Sequence, residues 1–118
     1  MQIRNNITLI GNVGKQPETV NTSTGKPMLR FSLATNEYWK DQDGNRQTRT
    51  EWHNIVAFGK QAELMKSMIG KGELLAVSGT LRYNKWVDKN DHKRVTAQIH
   101  VDGFELLTPK SQKEPVAA

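Results

Sequence analysis

The 118-residue chain contains no cysteine. That excludes disulfides, thiol nucleophiles and cysteine-ligated zinc, and it is a composition suited to a reducing compartment. No apolar run approaches the roughly 18 residues of a membrane-spanning helix. The first residues, Met1-Gln2-Ile3-Arg4-Asn5, have neither the apolar centre of a signal peptide nor the arginine content of a transit peptide. A cytoplasmic location is therefore the expectation. Catalytic constellations are scarce too. No His-x-x-x-His pair, paired-carboxylate motif or phosphate-binding glycine loop is present. The run Gly11-Asn12-Val13-Gly14-Lys15 lacks both the length of a P-loop and its following hydroxyl, so it reads as a turn. Of the histidines, His53 sits on an inward strand phase, His92 at a loop tip, and His100 out of phase with Ile99 and Val101, hence exposed. Asp41, Asp43, Asp88 and Asp91 are turn residues. No catalytic residue, metal ion or cofactor is expected, and the chain does not read as an enzyme.

Aromatic residues make up only 7% of the chain, yet three of them are tryptophans in polar company: Tyr38-Trp39-Lys40, Glu51-Trp52-His53 and Lys85-Trp86-Val87. A core tryptophan ordinarily lies in an apolar run. Seventeen Lys and Arg against twelve Asp and Glu leave a net charge of +5. A basic balance favours a polyanionic partner. A flat ring beside a cation is the combination that a single nucleic-acid strand requires, because the ring stacks on a base and the cation meets a phosphate.

Periodicity supplies the frame. Asn6 to Val13 alternates as a strand, with Ile7, Leu9 and Gly11 on one face. A turn at Ser23 to Pro27 leads to a strand over Met28 to Tyr38 that carries Leu29, Phe31 and Leu33 inward. Asp41 to Asn45 is a hairpin signal, followed by a strand over Thr48 to Phe58. Gly59 ends it. Ala62, Met65, Met68 and Ile69 then recur at helical spacing over Lys60 to Ile69, with Gly70 as the stop. Glu73 to Val87 is a long strand bent at Gly79. Asp88 to His92 is a second polar tip, and Arg94 to Leu107 closes the domain, with Phe104 in the core. Three strands, one helix and two strands predict an all-β, five-stranded OB-fold Greek-key barrel over residues 1–107, with the helix between the third and fourth strands. Residues 108–118 lose periodicity and read as a disordered tail.

Register matters for the rings. A two-residue turn at Asp43-Gly44 would put Trp52 and Phe58 on the face of Leu29, Phe31 and Leu33, and a one-residue slip reverses every side chain. A longer loop or a bulge is therefore expected, with His53, Ile55 and Ala57 inward and Trp52 and Phe58 outward. Cations interleave with these rings: Lys40, Arg46 and Arg49 on the first hairpin, Lys60, Lys66 and Lys71 on and after the helix, and Arg82, Lys85, Lys89, Lys93 and Arg94 on the second.

With those residues in place, the chain resembles the bacterial-type single-stranded DNA-binding proteins, from about Asn6 to about Leu107. Four segments carry the likeness: Asn6 to Gly14 (NITLIGNVG) with Pro17-Glu18, Phe31 to Trp39 (FSLATNEYW), Thr50 to Lys60 (TEWHNIVAFGK) with Ala62-Glu63, and Gly79 to Trp86 (GTLRYNKW). The resemblance implies sequence-independent binding and protection of single-stranded DNA in replication, recombination and repair, by a homotetramer built as a dimer of dimers and associated with the nucleoid. Its base-stacking residues correspond here to Trp39, Trp52, Phe58 and Trp86. Its phosphate contacts correspond to Lys60, Lys71, Arg82 and Lys85, and the hairpin cations Lys40 and Arg49 join them by position. His53 matches a histidine of the subunit contact, and the first strand, with Ile7 and Leu9, is the dimer-forming edge. Bacterial members of that family end in an acidic tip that recruits repair enzymes. This sequence ends Lys110 to Ala118 without an acidic run, so the resemblance implies a tail-less or truncated member without tail-mediated recruitment. The competing reading is an OB-fold adaptor of primosomes or recombination that works mainly through protein contacts.

Overall fold

Alternating apolar residues become strands that share one interior in the computed structural model, which describes residues 3–22 and 24–108. The elements run β1 (Ile7–Val13), β2 (Glu18–Asn21), β3 (Pro27–Lys40), β4 (Arg46–Phe58), α1 (Gly59–Met68), β5 (Leu74–Val87) and β6 (Lys93–Leu106). The sheet order is β1-β5-β6-β4-β3-β2, and a β1–β3 pairing through Asn12 and Val13 closes it on itself. This is the expected five-stranded barrel with its first strand broken in two. β1 pairs with β5 and β2 pairs with β3, so one strand serves two neighbours across the bend at Gly14 to Pro17. The β2 segment carries too little apolar alternation to be read as a strand from sequence; its pairing to β3 makes it one.

The interior is filled by Val13, Leu29, Phe31, Leu33, Ile55, Ala57, Leu75, Val77 and Ile99, with Ala62, Met65 and Ile69 of the helical segment covering one end. Ile7, Leu9 and Phe104 pack partly buried against this core. Met68 departs from the expected apolar stripe. It is exposed, because residues 62, 65 and 69 lie on one side of the helix and 68 is about 100° round from 69.

β5 and β6 pair along their whole length with one irregularity. Ser78 faces Gly103 and Gly79 faces Val101, so Asp102 is an extra residue in β6. A bulge of this kind bends the strands and increases their twist. The bend lies at Gly79, as expected, and a Cβ there would strike the His100 carbonyl. The carbonyl of Asp102 accepts a hydrogen bond from Gln61 Nε2 (3.0 Å), which ties α1 to the bulge.

The two long hairpins end in loops of the same design. Gly44 N–H donates to the Asp41 carbonyl (3.0 Å), and Asp91 N–H donates to the Asp88 carbonyl (3.1 Å). In each loop the leading aspartate accepts two further backbone N–H groups through Oδ1: Asp43 and Asn45 on Asp41, Asn90 and His92 on Asp88. The fourth residue is left-handed, Gly44 at φ 80° and Asp91 at φ 65°. A turn followed by one left-handed residue is the usual three-residue hairpin connection. It sets Ala34 opposite Trp52 and Met28 opposite Phe58, which is the longer-loop register expected from the ring argument.

Candidate nucleic-acid interface

Strand pairing lays out one continuous outward face across β3, β4, β6 and β5. Ser32 lies opposite Asn54, Asn54 opposite Gln98, and Gln98 opposite Arg82. One row away, Arg30, Val56, His100 and Thr80 are matched in the same order. In the other direction Ala34 meets Trp52, and Thr96 meets Asn84. Side chains two apart on a strand share a face. Trp52 and Phe58 on β4 and Trp86 on β5 therefore all belong to this surface, at 61%, 39% and 46% exposure. Rings this exposed on a sheet are available to stack.

Each ring is held by a neighbour. Trp52 rests over the bend after β1, where a Cβ on Gly14 would strike its six-membered ring. Gly14 is itself pinned there, its N–H donating to the Ser32 carbonyl at 2.9 Å. The indole N–H of Trp86 donates to Thr96 Oγ1 (2.9 Å) across the hairpin. Phe58 lies against His100, with ring centroids 5.3 Å apart and planes tilted by 54°. That contact makes His100 half-buried, not exposed as expected from its strand phase. Burial pushes its pKa below the ordinary 6.5, and the Arg82 guanidinium acts in the same direction while Asp102 opposes it. His100 is thus neutral at pH 7.

A cleft of about 520 Å³ crosses the middle of this face. Trp86, Asn84, Thr96 and Gln98 form one wall, Asn54 and Val56 the floor, and Arg30, Ser32, Lys15 and Gln16 the other wall. Arg82 is exposed beside Gln98 at its margin, Lys40 is exposed at the far end of β3 in a separate depression with Trp39, and Lys71 reaches the cleft's rim through Gln16, whose Oε1 accepts the Lys71 backbone N–H at 3.4 Å. Lys60 opens α1, two residues after Phe58.

Not every expected residue joins them. Trp39 shares strand parity with Phe31 and Leu33, so it projects from the opposite side of the β3–β4 hairpin to Trp52. Arg49 is on that reverse side too, its guanidinium 5.7 Å from the Trp39 ring centroid. Lys85 likewise alternates away from Trp86 to the reverse of the second hairpin. Trp39 is 44% exposed even so, because both hairpins overhang the barrel and their reverse sides meet no core. His53 is inward and half-buried, with its Nε2 2.9 Å from Thr35 Oγ1. Ile7 and Leu9 turn toward the core, and it is Thr8 and Ile10 that β1 exposes.

Sequence reasoning passed over Gly14, Thr96, Arg30 and the amides Asn54, Asn84 and Gln98. Thr96 had a signal, since it lies diagonally across the hairpin from Trp86 once the Asp88 loop is placed. Gly14 had none, because its role depends on a ring 38 residues away in sequence crossing above it. Among the described residues no group of three or more His, Cys, Asp or Glu could hold a metal ion. None of their helices is long and apolar enough to cross a membrane.

Comparison with known proteins agrees with this fold. The model of the Single-strand binding protein family matches residues 4–107. A "Single-stranded DNA-binding protein 1" of Xylella fastidiosa is 38% identical over 113 residues, covering 95% of this chain and 83% of that protein. A "Single-stranded DNA-binding protein" of Xanthomonas axonopodis pv. citri is 39% identical over 103 residues, covering 87% of this chain and 57% of the relative's length. Among solved structures, a Plasmodium falciparum SSB in complex with ssDNA superposes with a TM-score of 0.79 at 31% identity, covering 91% of this chain and 97% of that one. A small single-stranded DNA-binding protein from Streptomyces coelicolor shares the fold, with a TM-score of 0.70 at 20% identity.

Proposed function

The chain belongs to the Single-strand binding protein family, and on that premise we propose that it binds and protects single-stranded DNA without sequence preference, in replication, recombination and repair. The observation that carries this reading is the single outward face that holds Trp52, Phe58 and Trp86, with Trp86 lining a cleft that Lys15 and Arg30 also line. Stacking needs only a π-face, so it is tolerant of sequence, and each stacked base contributes roughly 1–3 kcal/mol by alanine substitution. Arg82, Lys40, Lys60 and Lys71 neutralise phosphates around the rings. Trp39, Arg49 and Lys85 extend the path round to the reverse of the hairpins. A strand that stacks on Trp52 continues onto Trp39 only by wrapping over the hairpin edge.

The protein acts as a binder in the cytoplasm, not as an enzyme. Its working form is a homotetramer, a dimer of dimers. β1 is paired to β5 on one side, and β3 takes up only Asn12 and Val13 on the other, which leaves the edge from Ile7 to Gly11 without a ladder partner among the described residues. An open edge pairs readily with a second copy. The half-buried His53, beside Ile7 and Leu81 in one depression, is positioned to support such a contact.

Titration with oligo(dT) of several lengths, followed by tryptophan quenching and by mass, tests the whole reading. Binding should weaken with salt at a log–log slope of about −0.7 per phosphate neutralised. Trp52→Ala and Trp86→Ala should each reduce affinity. If neither does, the stacking assignment is wrong.

A further inference from the structure

We propose that the amides lining the cleft hydrogen-bond the edges of bases, so that Asn54, Asn84 and Gln98 bind nucleobases directly in addition to the stacking rings and the phosphate-binding cations. This rests on the single-stranded DNA binding proposed above and says which part of the nucleotide the centre of the face receives.

The three amides belong to the outward side of three adjacent strands. Asn54 faces Gln98 across β4 and β6, and Asn84 lies on β5 one row along, opposite Thr96. All three line the one cleft. The formal charges lie at its sides: Lys15, Arg30 and its ion-pair partner Glu18 (3.1 Å) toward β2 and β3, Arg82 toward β5. A phosphate held at the centre would call for a cation there, and the centre presents neutral amides. Asparagine is depleted in strands, yet Asn54 and Asn84 both occupy strand positions well clear of a turn. Their hydrogen-bonding capacity is largely unused. The Asn84 side chain makes no hydrogen bond among the described residues. Asn54 donates Nδ2–H to the Ala97 carbonyl at 3.3 Å, which leaves its Oδ1 open. Gln98 has only a 3.4 Å contact, from Oε1 to His100 Nε2.

A carboxamide offers one acceptor and a pair of donors side by side. Every base edge carries a donor next to an acceptor, and a half-turn of the amide exchanges the two. Such a lining pairs with whichever base arrives. It adds base contacts without adding sequence preference, which a stacking-only surface also lacks but for a different reason. The two can therefore be separated by chemistry and not by comparing natural sequences.

The test compares oligo(dT) with a strand of equal length in which thymine is replaced by 2,4-difluorotoluene, a ring of the same shape that stacks but has no strong hydrogen-bonding edge. Both are titrated against the full chain by tryptophan quenching. The isostere should bind roughly three- to tenfold more weakly. In Asn84→Ala and in Gln98→Leu, oligo(dT) should weaken while the isostere does not, so that the gap narrows. Equal affinity of the two strands for the unsubstituted chain overturns the proposal, and that comparison stands whatever the variants' stability. A gap undiminished in both variants also overturns it, because the edge contacts would then lie elsewhere. Failure of oligo(dT) itself to bind would instead sink the proposed function, and that result is read before the isostere is added.

Discussion

The six-membered ring of Trp52 rests on Gly14, at a position where a Cβ would strike both the ring and the Ser32 hydroxyl. The most exposed ring of the outward face is thus levelled by a residue that has no side chain. Gly14→Ala should tilt or displace the indole. Overpacking a fixed contact costs about 1–3 kcal/mol, so a lowered unfolding midpoint is expected together with a shifted tryptophan emission and weaker oligo(dT) binding. An unchanged emission spectrum in a folded Gly14→Ala protein would show that the ring does not need this seat.

The Trp86 indole is oriented by Thr96. Thr96→Val keeps the shape and removes the acceptor. Because the pair is solvent-accessible, the loss of stability should be small, about 0.5 kcal/mol. The effect on affinity should be larger than the effect on stability, since a ring free to rotate loses entropy when it stacks. Thr96→Ser restores the acceptor and should restore binding; isothermal titration of all three proteins decides.

Trp39 and Trp52 project from opposite sides of the same hairpin. On an oligonucleotide only long enough to cover the outward face, Trp52→Ala should reduce affinity by roughly 1–3 kcal/mol and Trp39→Ala should have little effect. With strands long enough to pass over the hairpin, Trp39→Ala should become visible. A Trp39→Ala effect independent of length would mean that both rings meet the same stretch of strand.

Two carboxylates and one histidine shape the acid response. Backbone N–H donation, first from Asn45 to Asp41 and from His92 to Asp88, holds both carboxyls below the ordinary 3.8; Gln47 and Arg94 side chains assist. A depressed carboxyl stabilises the fold above its unfolded pKa, and that contribution is lost as pH falls through the lower folded value. The two hairpin tips should therefore loosen only in strong acid. His100 acts earlier. Its folded pKa is below the unfolded 6.5, so protons favour the unfolded chain, and stability should decline as pH falls from about 6.5. Melting curves from pH 4 to 8 should show this decline, and His100→Gln should flatten it.

The fourth loop position is glycine at Gly44 and aspartate at Asp91, both left-handed. Asp91→Gly should remove backbone strain from the second loop and raise stability by roughly 0.5 kcal/mol, read as a small increase in unfolding midpoint. The stiffness of the Asp88 network makes an effect on DNA affinity unnecessary.

Much of this architecture was legible before any coordinates. Alternation marked the inward residues Leu29, Phe31, Leu33, Ile55 and Ala57. Turn chemistry marked Asp41 and Asp88, and the conflict between ring and core phases called for the longer first loop that is found. Trp39 shares parity with Phe31, but the sequence reading grouped it with Trp52 as a stacking ring and assigned it no side. What parity cannot say is that an inward position meets no core when its hairpin overhangs the barrel.

The sequence by itself determined which residues alternate together within each strand, where the chain turns, and that exposed rings and cations are interleaved, because these follow from local geometry of period two and from turn preferences. Only the tertiary structure decided which strands lie side by side. That relation joins Asn54, Gln98 and Asn84 from three strands, covers His100 with Phe58, slides Gly14 under Trp52 and makes β2 a strand. Each depends on register between distant segments and on a bulge at Asp102, which are set by how the barrel closes and not by any stretch of chain alone.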